Sequence, residues 1–284
     1  MRTLNKSLFC LLTFIAIPLF GTDAALELAE KFFNANFYDE AITEYQRYIH
    51  FNPGTQEASY AYYKIALAYR NKYNLEESLK AMENAAQAAL TDSIRNERKI
   101  DVAITYIAME KYDKAKFTLL KLTSFSDNSE IKRKASLFLG VAHLYLYEWR
   151  SAKEALGIYF EEKGNSQFAQ AIDSLLSSAK NLDYKSPKTA RLLSTFIPGT
   201  GQIYSGNIGD GINSMLINDA NIYFIIYKLL KEEYANAYLI YFFLFRRYYF
   251  GNIYYAKKGA IEHNRELNEE RADSIFKLLR NIEQ

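Results

Sequence analysis

Between residues 25 and 160, small and large apolar side chains return to the same phase every 37 positions. Ala41, Ser78, Ala115 and Ala152 form one column of small residues at that interval. A second small column, Ala29, Ala66, Ala103 and Gly140, lies 12 positions upstream, and Phe32, Tyr69, Tyr106 and His143 follow it three positions later. Downstream of the first column, at plus four and plus seven, come the pairs Tyr45/Tyr48, Met82/Ala85, Leu119/Leu122 and Leu156/Tyr159. Spacings of three, four and seven share one helix face, so the pattern predicts four units of two antiparallel helices. Small residues mark the closest backbone crossings, and large neighbours one turn away fill the space beside them. A single helix pair cannot bury both apolar faces, so the units are expected to stack. The turns inside the units fall at Asn36-Phe37-Tyr38-Asp39, Lys72-Tyr73-Asn74, Glu110-Lys111-Tyr112-Asp113 and Tyr147-Glu148. Asp39, Asn74 and Asp113 are candidate N-caps, and Asn52-Pro53 closes the first unit, since proline cannot continue a helix.

The pattern then changes. Ser166 to Leu182 is amphipathic, with Phe168, Ile172, Leu175, Leu176 and Ala179 on one side, and is expected to cap the stack. Ser186-Pro187 predicts a helix start, running to about Ile197. A helix from Asp210 to about Leu230 carries Asp210, Ser214, Asn218 and Asn221 on one stripe, with Asn213 at its edge. A second runs from about Ala235 to Lys257, and Gly259 to Gln284 reads as a charged amphipathic helix bearing Leu267, Ile275, Leu278 and Leu279. From Ile222 to Tyr255, 14 of 34 residues are Tyr or Phe. Such rings settle where one end is dry and the other wet, as at a membrane surface.

The opening residues have the three-part layout of a secretory leader. Arg2 and Lys6 precede an apolar run of 13 residues, Leu8 to Phe20, and small residues around Ala24 follow. That run is too short to cross ~30 Å of hydrocarbon; an uncleaved anchor or buried helix is the alternative. Cys10 lies inside the run rather than at its end, which argues against a lipid anchor there. The expected domains are therefore a signal peptide (1–24), a helical solenoid (25–184), a membrane-associated helical hairpin (185–260) and a charged C-terminal helix (261–284).

Composition narrows the chemistry. Four prolines and 12 glycines in 284 residues are few for an all-β chain, so an all-α protein is expected. The lone cysteine excludes a disulfide framework and a thiolate metal site, and would leave the exported chain without any, as suits an oxidising compartment. His50, His143 and His263 form no ligand-spaced pair. A net charge of +2 gives no reason to expect nucleic acid. No paired-carboxylate, Ser/His/Asp or metal spacing appears, so the expectation is a protein that is not an enzyme, with no metal and no cofactor.

The 37-residue columns resemble the tetratricopeptide repeat, in their order of small and aromatic positions and in the closing Pro53. The family's period is ~34, so these units are longer, and His143 stands where an aromatic is usual. The resemblance implies a groove on the first helices that binds a partner protein or peptide. It carries that groove to Leu26, Glu30, Phe33, Tyr60, Tyr63, Leu67, Arg70, Glu97, Ile100, Ile104, Lys134, Leu137 and Val141. Phe33, Tyr60, Tyr63, Arg70, Glu97 and Lys134 are the contact candidates; Leu67, Ile104 and Val141 can equally be core between units.

The stretch Pro198-Gly199-Thr200-Gly201-Gln202-Ile203-Tyr204-Ser205-Gly206 invites comparison with a phosphate loop. It lacks the Gly-Lys-Ser/Thr ending and a preceding strand, so no nucleotide is expected. It is similar to the P-G-x-G-Q-x-Y-x-G signature of small bacterial membrane-associated domains, with a weak continuation at Asp210-Gly211 and Gly251-Asn252-Ile253-Tyr254. The motif positions Pro198, Gly199, Gly201, Gln202, Tyr204 and Gly206 imply a membrane setting more than an activity.

If the two aromatic-rich helices fold back about Glu233, Asp219 and Arg247 lie 14 residues either side of the fold. Equal rise predicts an ion pair between Asp219 and Arg247 or Arg246, the alternative being arginines that snorkel to headgroups. Both helices are long enough to span a bilayer, but polar residues interrupt them, and the basic flanks Lys185, Lys188, Arg191, Lys257, Lys258 and Arg265 conflict with export of the repeats. A hairpin half-embedded in or lying on the membrane satisfies both. The expected function is a non-enzymatic adaptor of the bacterial envelope, facing the periplasm, with an envelope protein or peptide in the groove and the hairpin on the membrane. An oligomeric channel or transporter accessory lined by the polar stripe is the alternative.

Overall fold

A computed structural model describes residues 23–163, 166–177 and 182–281. The leader reading falls almost wholly on residues 1–22, outside the described residues, as does the far end of the predicted capping helix. The chain is all-helical, with no strand among the described residues. It divides into two compact units whose boundary lies between Leu176 and Ser177, a little before the expected one at 184.

The first unit contains α1 (Asp23–Asn34), α2 (Tyr38–Phe51), α3 (Gln56–Asn71), α4 (Leu75–Ala88), α5 (Asp92–Ala108), α6 (Tyr112–Phe125), α7 (Ser129–Tyr145), α8 (Trp149–Lys163) and α9 (Ser166–Ser177). From α1 to α8 each helix packs on its neighbours in sequence. Ala41, Ser78, Ala115 and Ala152 are all fully buried, and so are Ala29, Ala66 and Ala103. The two small columns meet directly: the Ser78 hydroxyl donates to the Ala66 carbonyl at 2.8 Å. At Gly140 an added Cβ would lie 2.5 Å from Leu156 Cγ, so this crossing has no room for alanine unless Leu156 moves. The large positions fill the core as predicted, from Tyr45 and Met82 to Leu119 and Leu156. His143 is buried too, its Nδ1 2.5 Å from Glu148 Oε2, while Lys116 donates to Glu148 Oε1 at 2.8 Å.

The four inner turns share one backbone geometry. Asn36, Tyr73, Glu110 and Tyr147, again 37 apart, all have left-handed φ between 57° and 63°. In each, two amides reach back over the last helical turn, as Tyr73 N to Arg70 O and Asn74 N to Tyr69 O, both 2.9 Å. That is the Schellman ending, which glycine usually supplies; here no glycine stands at any of the four. Of the predicted N-caps, Asn74 accepts from Glu77 N at 3.3 Å. Asp39 and Asp113 are corrected. Their helices begin one residue earlier, at Tyr38 and Tyr112, and the capping residues Phe37 and Lys111 make no side-chain cap bond. Both aspartates instead favour the positive helix start from within the first turn, where Asp39 pairs with Lys72 and Asp113 with Lys116. The face of α9 matches expectation at Ile172 and Leu176, both buried.

The second unit comprises α10 (Pro187–Phe196), α11 (Thr200–Tyr204), α12 (Ile208–Leu230), α13 (Tyr234–Leu239), a π-helical stretch Ile240–Phe245, and α14 (Arg246–Asn281). Ser186 caps α10, accepting from Thr189 N at 3.2 Å with Pro187 at the first helical position. α12 starts at Ile208, two residues before the predicted cap Asp210, which sits in the first turn. At Lys231–Glu233 the chain reverses with the same left-handed device, at Glu232 (φ 61°), and the following segment packs back on α12. The expected break near Gly259 does not occur, because α14 runs through it unbroken. A Cβ there would meet Asn207 Nδ2 at 2.8 Å, so this glycine serves a close approach rather than an ending.

A left-handed residue other than glycine costs ~1–2 kcal/mol, partly offset by the entropy glycine loses on folding. Tyr73, 92% exposed, is therefore predicted to gain about 0.5–1 kcal/mol of stability on Tyr73→Gly, read as a higher melting temperature of the full chain. A lower melting temperature would contradict the turn assignment.

Candidate functional site

The groove candidates lie on the first helices of the repeats, and the structure links several of them side chain to side chain. Phe33 on α1 and Tyr60 on α3 lie near Lys64, whose Nζ is 4.1 Å from the Phe33 ring centre and 3.0 Å from Glu30. The Tyr45 hydroxyl donates to Glu30 at 2.6 Å. Burial, together with the Glu30 carboxylate, pushes the Tyr60 hydroxyl up to about 12. Tyr63 carries the Arg98 guanidinium at 3.7 Å from its ring centre, and Arg70 donates to Thr105 Oγ1 at 2.8 Å. Lys134 pairs with Glu130 on its own helix at 2.9 Å, and Glu97 is half-buried nearby in sequence to Arg98. Ile100 belongs to one core cluster with Ile104 packed against it, and Leu26 packs against another, around Ala29 and Tyr45.

Sequence reasoning missed Lys64, Arg98 and Asp101. A signal existed for Arg98: it interrupts a column that otherwise reads Ala24, Ala61 and Ala135 at 37-residue intervals. Ala61 and Ala135 are fully buried, and at the third position the long side chain of Arg98 lies largely covered against the Tyr63 ring. Asp101 is 3.4 Å from Arg98.

In the second unit the motif residues form a compact knot. Gly199 has φ 89°, and a Cβ would sit 2.1 Å from the Gly211 carbonyl oxygen. A Cβ on Gly201 would sit 2.0 Å from the Ala190 carbonyl oxygen. Gln202, buried, accepts from the Ser194 hydroxyl at 2.9 Å and donates to the Asn252 carbonyl at 3.3 Å. The Tyr204 hydroxyl accepts from Ser186 N at 3.1 Å, and Gly206 (φ 90°) ends α11. Asn252 joins the parts. Its Oδ1 accepts from Gly199 N at 2.8 Å and from the Ser214 hydroxyl at 3.0 Å, and its Nδ2 donates to Ser194 O at 2.8 Å. Pro198 leads into this turn after α10. The motif turn and Asn252 thus lock α10, α12 and α14 together.

The polarity of this unit is inverted. The buried residues of α12 are Gly211, Asn218 and Asn221, while Leu216 (64% exposed), Tyr223, Phe224 and Ile226 face outward. Phe243, in the π-helical stretch, is 62% exposed, and no residue of that stretch is buried. One buried apolar cluster against α14 consists of Ala190, Ala256 and Ala260, with Tyr204 beside it, and further along α14 Ala272 and Ile275 are buried. Between α12 and α14 runs a cleft of about 590 Å³ with Gln202, Ser214, Asn218 and Asn252 among its lining, flanked by Asp210, Asn213 and Arg247.

The predicted ion pair is corrected here. Arg247 lines the cleft whose α12 wall runs from Asp210 to Asn218, and Asp219 is not part of that lining. Asp219 is one residue further, ~100° around the helix, and is exposed on another side. The π-helical stretch spaces its bonds at i→i+5 rather than i→i+4, which further shifts where Arg246 and Arg247 emerge. Arg246 lies over Phe242 at 5.5 Å, on its own helical run.

Among the described residues no group of three or more His, Cys, Asp or Glu side chains is placed to hold a metal. A scan of protein-family models and a search of curated proteins find no match to the chain.

Two predictions follow from this geometry. Replacing Asn252 by leucine keeps the volume but strands Gly199 N and Ser194 O, at ~1–3 kcal/mol for each buried group. Amide exchange in α11 and α12 should accelerate at least tenfold, and unchanged protection would contradict the knot. Burial holds the Asp101 carboxyl above its usual range, against the pull of Arg98 and Arg70. A carboxyl with a raised folded pKa favours folding in its protonated form, so stability is lost as pH rises from the unfolded pKa through the folded one. Asp101→Asn is expected to melt above wild type at pH 7, with the gap closing as the pH falls below the carboxylate range; a lower melting point at pH 7 would contradict this.

Proposed function

We propose that the protein is a non-enzymatic interaction adaptor of the cell envelope, whose second unit rests in the interface of a membrane while the first unit receives a partner protein or peptide. The observation that carries the reading is the inverted polarity of the second unit. Water-facing helices bury apolar side chains and expose polar ones; α12 does the reverse. A large contiguous apolar exterior marks a membrane or partner surface, and its richness in tyrosine suits the membrane–water boundary.

The charges set the depth. Asp219 and Lys228 are nine positions apart on α12, about 14 Å, and Glu233 and Arg246 are 13 positions apart on the return, about 20 Å, at 1.5 Å per residue. Both gaps fall short of the ~30 Å hydrocarbon core. No helix among the described residues is long and apolar enough to cross a membrane. An element lying along the interface, buried ~5–10 Å deep, accommodates both the rings and the charges. Export rests on the leader-like opening residues. The partner site rests on the resemblance to tetratricopeptide repeats and on the linked side chains of α1, α3 and α5, with Tyr60, Tyr63, Lys64 and Arg98 as its candidates. The channel reading needs the polar stripe free to line a path between copies, whereas Asn221 is buried and Ser214 is hydrogen-bonded to Asn252 within one chain.

The test is flotation of the full chain with mixed phosphatidylcholine and phosphatidylglycerol vesicles. Wild type should float. Leu216→Glu and Phe243→Glu, each replacing an exposed apolar group worth ~1.5–3 kcal/mol on burial, should each weaken binding tenfold or more. A wild type that stays with the aqueous fraction, or variants that float equally well, would defeat the proposal.

A further inference from the structure

We propose that the cleft between α12 and α14 binds a phosphodiester head group carrying a primary amine beside its phosphate. The inference deepens the membrane reading above, because it names what the interface-bound unit recognises there.

Three of the cleft's polar groups are already satisfied by the fold: Ser214, Asn252 and Gln202 are hydrogen-bonded within the knot. Of the others, Asn218 and Arg247 define the ligand's chemistry. Asn218 is 1% exposed, and its Nδ2 is used on the Ser214 carbonyl at 2.8 Å. Its Oδ1 is buried with no donor. A buried acceptor in that state signals a missing partner. Arg247 lines the same cleft, and among the described residues no ion pair or side-chain hydrogen bond holds it. A guanidinium offers a planar fork of donors that matches phosphate oxygens.

One donor site and one acceptor site in one cleft call for a ligand that is anionic at one atom and donates N–H from a neighbour. A phosphate next to a primary ammonium meets both demands, whereas the quaternary nitrogen of choline has no hydrogen to give to Asn218. Asp210, also on the cleft, favours a cation over an uncharged glycerol head through its field. It is eight residues from Asn218, about 12 Å along the helix, so it is not the amine's direct partner. The cleft's apolar wall, Ile217, Tyr248 and Tyr255, consists of exposed side chains continuous with the unit's apolar exterior. That continuity gives acyl chains a place to lie, and makes a bilayer phosphatidylethanolamine the favoured source over a free phosphodiester.

The full chain is titrated by flotation against vesicles of phosphatidylcholine alone and of phosphatidylcholine mixed equally with phosphatidylethanolamine. Wild type is expected to bind the mixed vesicles about tenfold more tightly. Arg247→Gln, at an exposed position, and Asn218→Leu should both lose that preference while still binding phosphatidylcholine, with helicity and melting checked in each. Equal affinity of wild type for the two vesicles, or a preference that survives in Arg247→Gln, overturns the site but leaves the membrane reading standing. Should wild type float with neither of these, nor with the vesicles containing phosphatidylglycerol, the membrane reading falls instead. The cleft is then decided by titrating soluble glycerophosphoethanolamine and following the Asn218 and Arg247 side-chain NMR signals. Shifts at both uphold a site for the free phosphodiester; no shift overturns it.

Discussion

The side-chain amide of Asn252 is the constraint on which the second unit depends. It is buried, and with its own backbone carbonyl it reaches α10, the motif turn, α11 and α12. Buried polar groups left unpaired are expensive, so α12 and α14 are held with their polar seam inward. The glycines make the arrangement possible. At Gly199 and Gly201 even a methyl group would collide with backbone oxygens. With hydrogen bonds and alanine contacts occupying the inside, the large apolar side chains are left with nowhere to go but out.

That division of labour sets the two units apart. The first is stabilised in the ordinary way, by columns of Ala, Tyr, Leu and Met packed between helices, and its exposed first-helix face is polar and aromatic. The second has little apolar interior and a large apolar exterior. Water is a poor solvent for such a surface at ~25 cal/mol per Å², whereas a membrane interface accepts it, rings and tyrosine hydroxyls together. The orphan Asn218 oxygen and Arg247 lie along the same seam. On this account the polar inside of the unit is also where it meets a specific head group.

Much of the first unit was readable because the same physical problem, two helices crossing, is solved four times at a fixed interval. Repetition turned weak preferences at Ala41, Ser78, Ala115 and Ala152 into a register. The turn conformation was not readable, since Asn36, Tyr73, Glu110 and Tyr147 share a φ but no chemistry. Capping at Asp39 and Asp113 was misplaced by residue type alone, because the helices begin one position earlier. Asp219 and Arg247 illustrate a different limit. Counting residues gives a height along a helix, but the side of the helix depends on the π-helical stretch and on a one-residue offset. Asn252 was visible only as a weak extension of a motif; its role needs three elements distant in sequence to meet, which spacing cannot reveal. Gly259 was read as the start of a separate helix and proved to be a contact point inside a continuous one.

The most direct test of the inverted unit is the environment of single spin labels in the vesicle-bound full chain, at Leu216, Phe224 and Phe243 and, for comparison, at Tyr73 in the first unit. Collision with oxygen should dominate at the three second-unit positions and collision with a water-soluble nickel complex at Tyr73, as expected for side chains in lipid and in water. Labels at Leu216, Phe224 and Phe243 that meet the nickel complex as freely as Tyr73 does would contradict the account.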